Sequence, residues 1–278
     1  MPFWKSSRTV SEAGFDPTFR YATSWLLSPG VLFGLRAFLS LYAFTTIFAI
    51  FGYNSSHGLS ENSRHSFSFF TNLTYWGLAF YYAFAALHTG SYWLRGQPLL
   101  AGWPRSLQMA HAMFYSTIVV YPWIVTIVYW GLLYSGRFPS AFTTWSNISQ
   151  HALNSVYALF EIIVPRTAPL PFLHIIVIVI ILALYLSLAY LTHATEHYWV
   201  YNFLDNETHS HGVVAGYIIG ILIAAIIIFL IVRYLIVLRV WLTENKMRKN
   251  GKFSGRGQAH LREDEAEKGI AMHDVSAK

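Results

Sequence analysis

The chain of 278 residues has no cysteine. That removes disulfides, thiol nucleophiles and thiolate metal sites from consideration. Charge is also scarce: Asp, Glu, Lys and Arg together make up 12% of the residues, against 55% apolar and 18% aromatic. A soluble domain carries roughly a quarter charged residues, so the balance points to a polytopic membrane protein. Acidic residues are almost missing from the apolar runs. Glu161 is the one Asp or Glu in any of the long hydrophobic stretches. No internal repeat is evident, and the first 30 residues lack a cleavable leader pattern, so the first span is expected to serve as an uncleaved anchor.

Six stretches approach the ~20 residues that a bilayer requires, at about 31–53, 67–89, 109–134, 149–165, 172–193 and 213–241. They imply an all-α fold, a single six-helix transmembrane bundle over residues 31–241, preceded by a cytoplasmic segment 1–30 and followed by a tail 242–278 expected to be disordered. With both ends inside, the inner segments collect Lys5, Arg8, Arg20, Arg95, Arg105, Arg166 and the run Lys246, Arg248, Lys249, Lys252, Arg256. The outer loops hold only Arg64 and Arg137, an asymmetry that favours N-in, C-in. The net charge of +6 then reflects cytoplasmic anchoring, and no basic face with interleaved aromatics speaks for nucleic acid. Sequons at Asn54, Asn147 and Asn206 fall in the loops assigned outside, whereas Asn72 lies within a span.

The segment Ser149–Arg166, SQHALNSVYALFEIIVPR, places His151, Asn154, Ala158 and Glu161 on one stripe at 100° per residue. An ionisable group at membrane depth costs a few kcal/mol and normally faces a protein or aqueous interior. Glu161 is therefore expected to meet a cation from another span, Arg36 or Arg233, and to act as a structural pin more than as a reactant. At the other end of the span, His151 and Asn154 lie at similar depth to Thr71 and Thr74, which open the second span. A hydroxyl needs a base to become a nucleophile, so Thr71 with His151 is a candidate pair. The competing reading is packing: Thr commonly bonds a helix carbonyl, and His or Asn glues helices together.

His193-Ala-Thr-Glu196-His197 matches an inverted zinc-protease motif, a weak signal at the end of a span. No metal or other cofactor is expected from it. Gly216 and Gly220 have the spacing of a homodimer contact, or equally of packing within one chain. His88 and His111 read as polar glue.

The blocks FFTNLTYWG (69–77), QHALNSV (150–156) with Phe160-Glu161 and Pro165-Arg166-Thr167, and WVYNFLD (199–205) resemble the androgen-induced protein / androgen-dependent TFPI-regulating protein family, over about residues 67–240. Some features also resemble rolling-stone-like membrane proteins. The resemblance implies six spans and a threonine hydrolase that cleaves fatty-acid esters of hydroxy fatty acids in endomembranes such as the endoplasmic reticulum. It implies Thr71 as nucleophile, with Thr74 one turn away, and a His of span four as its partner. The family pattern there is Asn-His-x-x-His, whereas this chain reads Gln150-His151-Ala152-Leu153-Asn154. Asn154 falls on the second His and cannot accept a proton; His151, one turn earlier on nearly the same face, is either its substitute as the base or the structural first His of the pattern. Asn72 or Asn154 would then donate to the oxyanion. The alternative is a non-enzymatic lipid-binding or scaffold protein on the same bundle.

Overall fold

A computed structural model describes residues 15–249. The residues within the expected disordered tail from 250 onward, and residues 1–14, lie outside those described. The described chain is all-α, with a single isolated β-bridge between Ser24 and Pro165.

Helix α1 (Pro29–Ser56) starts where Ser28 caps the Val31 amide and Pro29 supplies a preset φ. A short α2 (Ser60–Arg64) leads into α3 (Phe70–Arg95), which ends on Gly96 at φ 78°. A left-handed residue closes a helix cheaply only when it has no Cβ. Helix α4 (Arg105–Val128) continues as a π-turn over Tyr129–Leu133. Next come α5 (Ala141–Ile148), a second π-turn (Ser149–Leu153) and α6 (Asn154–Ile163), one continuous helical path. Helices α7 (His174–Glu196) and α8 (His211–Val240) complete the set, and α8 runs on through a π-turn to Lys246.

Four of these helical paths are long and apolar enough to cross a bilayer: α1, α4 with its π-turn, α7, and α8 with its π-turn. The protein is an integral membrane protein. Helices α7 and α8 are apolar all round, and Leu173, Leu184 and Ile219 stand outward, as suits a surface that meets lipid rather than water.

Lipid supplies no hydrophobic force between helices, so close packing and polar contacts must hold the bundle. Helices α1 and α3 pack most extensively. At Gly90 an added Cβ would stand 3.0 Å from the Phe33 ring, which would have to shift to admit it. Helix α4 carries Pro122 in its interior. Proline has no N–H for the Ile118 carbonyl one turn earlier, so the ladder is interrupted there. Asn154 Nδ2 and Ser155 Oγ on α6 both approach the Pro122 carbonyl, at 3.5 and 3.3 Å.

Two differences from the sequence expectation concern boundaries. The fourth helical stretch begins at Ala141 rather than near 149, because Ser140 caps it by accepting from the Thr143 amide. The end of the last one extends past Trp241, where Glu244 is held by Arg20 at 2.5 Å.

Candidate functional site

Glu161 and Arg36 are both fully buried and form a two-pronged pair, with Arg36 Nε and Nη2 donating to the two carboxylate oxygens at 2.9 and 2.8 Å. Arg36 Nη1 also donates to the Tyr21 carbonyl and to Thr89 Oγ1, and Tyr81 donates to Glu161 at 3.3 Å. Nearly every polar direction of the pair is answered, as a buried charge requires. Arg233 lies elsewhere, donating to the Leu170 carbonyl and covering the Phe172 ring.

At the opposite end of α3, Thr71 lines an apolar cavity of about 190 Å³ between α3, α4, α7, α8 and the 3-10 turn Asn202–Leu204. Its polar groups are few: Thr71, Tyr129, Tyr185 and Tyr201. The Thr71 and Tyr185 side chains lie beside the Tyr201 hydroxyl, and burial raises the Tyr201 phenol above its ordinary range. Tyr201 therefore stays neutral and can donate to a carbonyl or carboxylate, but it is a poor acceptor of the Thr71 proton. Phe70 and Tyr185 also wall a second apolar cavity of about 560 Å³ between α3, α4 and α7, which Thr74 lines. The Thr74 hydroxyl is spent on the Phe70 and Thr71 carbonyls.

His151 stacks face to face on Tyr129 with ring centroids 3.5 Å apart, and it is not among the residues lining the Thr71 cavity. Among the described residues no hydrogen bond joins Thr71 to His151; the Tyr129 ring touches both the cavity and the imidazole. The Asn147 carbonyl lies 3.0 Å from His151 Nδ1. A carbonyl only accepts, so Nδ1 carries the proton and Nε2 holds a lone pair.

Neither amide expected to donate to an oxyanion faces that cavity. Asn72 donates to the Ser66 carbonyl and accepts from Gln150, beside a separate small pocket. Asn154 is committed to Pro122, to the Thr126 hydroxyl and to the Ser155 amide. The single stripe expected for this helix divides accordingly: His151 and Asn154 turn to α4, and Glu161 turns to α1. Asn154 and Glu161 both lie in the regular helix α6, about two turns apart, so each meets a different neighbour along the bundle.

The His-x-x-Glu-His segment does not converge. His193 stacks on Trp199 at 3.8 Å, Glu196 turns toward Arg64 and His65, and His197 closes α7 at φ 58°. Among the described residues no group of three or more His, Cys, Asp or Glu side chains could hold a metal ion. Gly216 and Gly220 lie on an outward face of α8 with open space around them.

Sequence reasoning missed Tyr185 and Tyr201. Tyr201 sits within the WVYNFLD block, so an aromatic-rich loop following an apolar span was the available signal. Tyr185 gave none beyond its place in that span. Comparison with known protein families, with curated proteins and with solved structures finds no match to this chain.

Proposed function

We propose that this is a six-span membrane protein with both ends in the cytoplasm, residing in an endomembrane, that takes an acyl chain of a lipid between its helices and presents the lipid's carbonyl or carboxyl group to Thr71 and Tyr201. Helix α3 and the path from Ala141 to Ile163 would provide the two further spans. The observation that carries the reading is the cavity itself: apolar walls with the Thr71 and Tyr201 hydroxyls side by side, the usual composition of a lipid or small-molecule site. No cofactor is required for it.

Ester hydrolysis is the second reading, and the tautomer of His151 favours it. With Nδ1–H held by Asn147, Nε2 is the nitrogen able to act as a base. His151 Nε2 would take the Thr71 proton as the hydroxyl oxygen attacks the ester carbonyl. The tetrahedral intermediate would collapse to an acyl-Thr71, expelling the alcohol oxygen, which recovers the proton from the imidazolium. Water would repeat the sequence and release the acid. Tyr201 could donate to the developing oxyanion. For this the Tyr129 ring has to swing from between the two groups.

Incubating the purified protein with a panel of long-chain acyl esters, then analysing retained lipid and released acid, separates the two. Binding alone leaves the ester intact and bound. Hydrolysis releases acid and stops in Thr71→Ala. Neither retention nor release would remove both readings.

A further inference from the structure

At the end of the bundle remote from the Thr71 cavity, three arginines are tied into one closed circuit of contacts. The Arg166 amide donates to the Thr23 carbonyl, and its Nη1 reaches Thr23 Oγ1 at 3.5 Å. Arg239 Nη2 donates to the carbonyl of the next residue, Thr167. One helical turn beyond Arg239, Glu244 receives both prongs of Arg20, which lies three residues before Thr23. The circuit thus runs from Arg20 through Thr23, Arg166, Thr167, Arg239 and Glu244 back to Arg20.

Carboxylates do not balance it. Glu244 is held by Arg20, and among the described residues neither Arg166 nor Arg239 has a carboxylate in salt-bridge contact, although Glu244 acts on both from farther off and they are only 5% and 7% exposed. Asp16 is the other acid nearby. Its Oδ2 accepts from the Tyr21 amide, and burial holds its carboxyl above the usual range. Burial and the neighbouring Arg20 charge hold Arg166 below the ordinary arginine range. Among the described residues, four buried guanidinium nitrogens of this circuit have no hydrogen-bond partner: Arg20 Nε, Arg166 Nε, and Arg239 Nε and Nη1. Buried cations left unpaired are costly, and forked guanidinium donors match the oxygens of phosphate as they do those of a carboxylate.

The surroundings suit a headgroup. Lys249 lies over the Trp25 ring and Lys246 over Trp241, and both lysines are exposed. Tryptophan with lysine marks the level at which phospholipid headgroups meet the protein.

We infer that Arg20, Arg166 and Arg239 form a phosphate-binding site, which takes the phosphate of an anionic phospholipid headgroup or a free phosphate. The site is independent of the acyl cavity.

The test uses the full chain in nanodiscs of neutral phosphatidylcholine, with and without phosphatidic acid, and in a third arm with inorganic phosphate added to the neutral discs. Thermal unfolding is followed for the wild type, Arg166→Gln, Arg239→Gln and the outlying Arg105→Gln. A ligand that binds only the folded state in large excess over its Kd raises the midpoint by several degrees. That rise should vanish in Arg166→Gln and Arg239→Gln and persist in Arg105→Gln. A rise with phosphatidic acid identifies the lipid as the source, and a rise with inorganic phosphate identifies the free ion. No rise in either arm, or an equal rise in all four proteins, overturns the inference. Should the cluster variants fail to fold, native mass spectrometry of the wild type decides. Selective retention of phosphatidic acid over phosphatidylcholine of the same chain length, or of phosphate adducts, supports the site; retention without preference and without phosphate adducts overturns it.

Discussion

Helix α3 contributes one threonine to each of two contrasting regions. Thr89 is fully buried beside Arg36 and Glu161, where its hydroxyl accepts from Arg36 and donates to the Ala85 carbonyl. Thr71 opens into an apolar cavity, with its side chain beside the Tyr201 hydroxyl. The first region is a saturated polar knot, built to join α1, α3 and α6. The second has unfilled volume, and of its four hydroxyls those of Tyr129 and Tyr185 are held by Asn147 and Ser68 while Thr71 and Tyr201 lie together. A buried charge attracts attention in a sequence, yet here it is the region with spare polar capacity that can receive a ligand.

The largest effect is expected in the knot. Arg36→Ala leaves Glu161 buried without its partner, and should cost about 3–5 kcal/mol or prevent folding. Thermal unfolding in detergent would show this, and Arg36→Met combined with Glu161→Leu should recover much of the loss. A single substitution that costs under about 1 kcal/mol would break the contrast between the two regions.

Next is the polar contact that joins α6 to α4 at Pro122. Asn154→Leu removes the donor to the Pro122 carbonyl and the acceptor for Thr126, and should destabilise by about 1–2 kcal/mol in the same assay. An unchanged midpoint would mean that Ser155 alone suffices.

His151→Phe sharpens the comparison at the other end. A phenyl ring keeps a stacking surface for Tyr129 and removes the base, so stability should change by less than about 1 kcal/mol. Ester turnover, if the protein has it, should be abolished. Turnover that persists would exclude His151 as the base.

The smallest effect concerns pH. Burial raises the Asp16 carboxyl, so the folded state holds that proton more tightly than the unfolded chain does. The contribution is present below the unfolded-state value of about 4 and is lost as pH rises through the higher folded-state value. Asp16→Asn should flatten this part of the stability–pH profile measured by thermal unfolding. A profile identical to wild type would assign the pH response to other groups.

The helical character of the chain was readable from its apolar runs, because a bilayer demands long unbroken segments and tolerates few charges. The region from Ala141 to Ile148 was less readable: AFTTWSNI is too polar to look like a span, yet its serine cap and the partners beyond it carry the helix through. Glu161 announced itself, since no acid in such a run can stand alone. The Thr71 cavity did not, because its hydroxyls come from residues 71, 129, 185 and 201, which no spacing rule connects. The arginine circuit was hidden for the same reason. Its members looked like separate signs of a cytoplasmic boundary, and only the fold of residues 15–28 against the ends of α6 and α8 brings them together.

The acyl cavity is tested most directly by equilibrium binding of a radiolabelled long-chain acyl ester to the wild type and to Ala183→Trp. Ala183 lines the cavity, and an indole there would fill much of its volume. The wild type should bind saturably, and Ala183→Trp should weaken binding by about tenfold or more while the protein remains folded, a loss of about 1.4 kcal/mol. Equal binding by the two folded proteins would contradict the assignment of the ligand to this cavity.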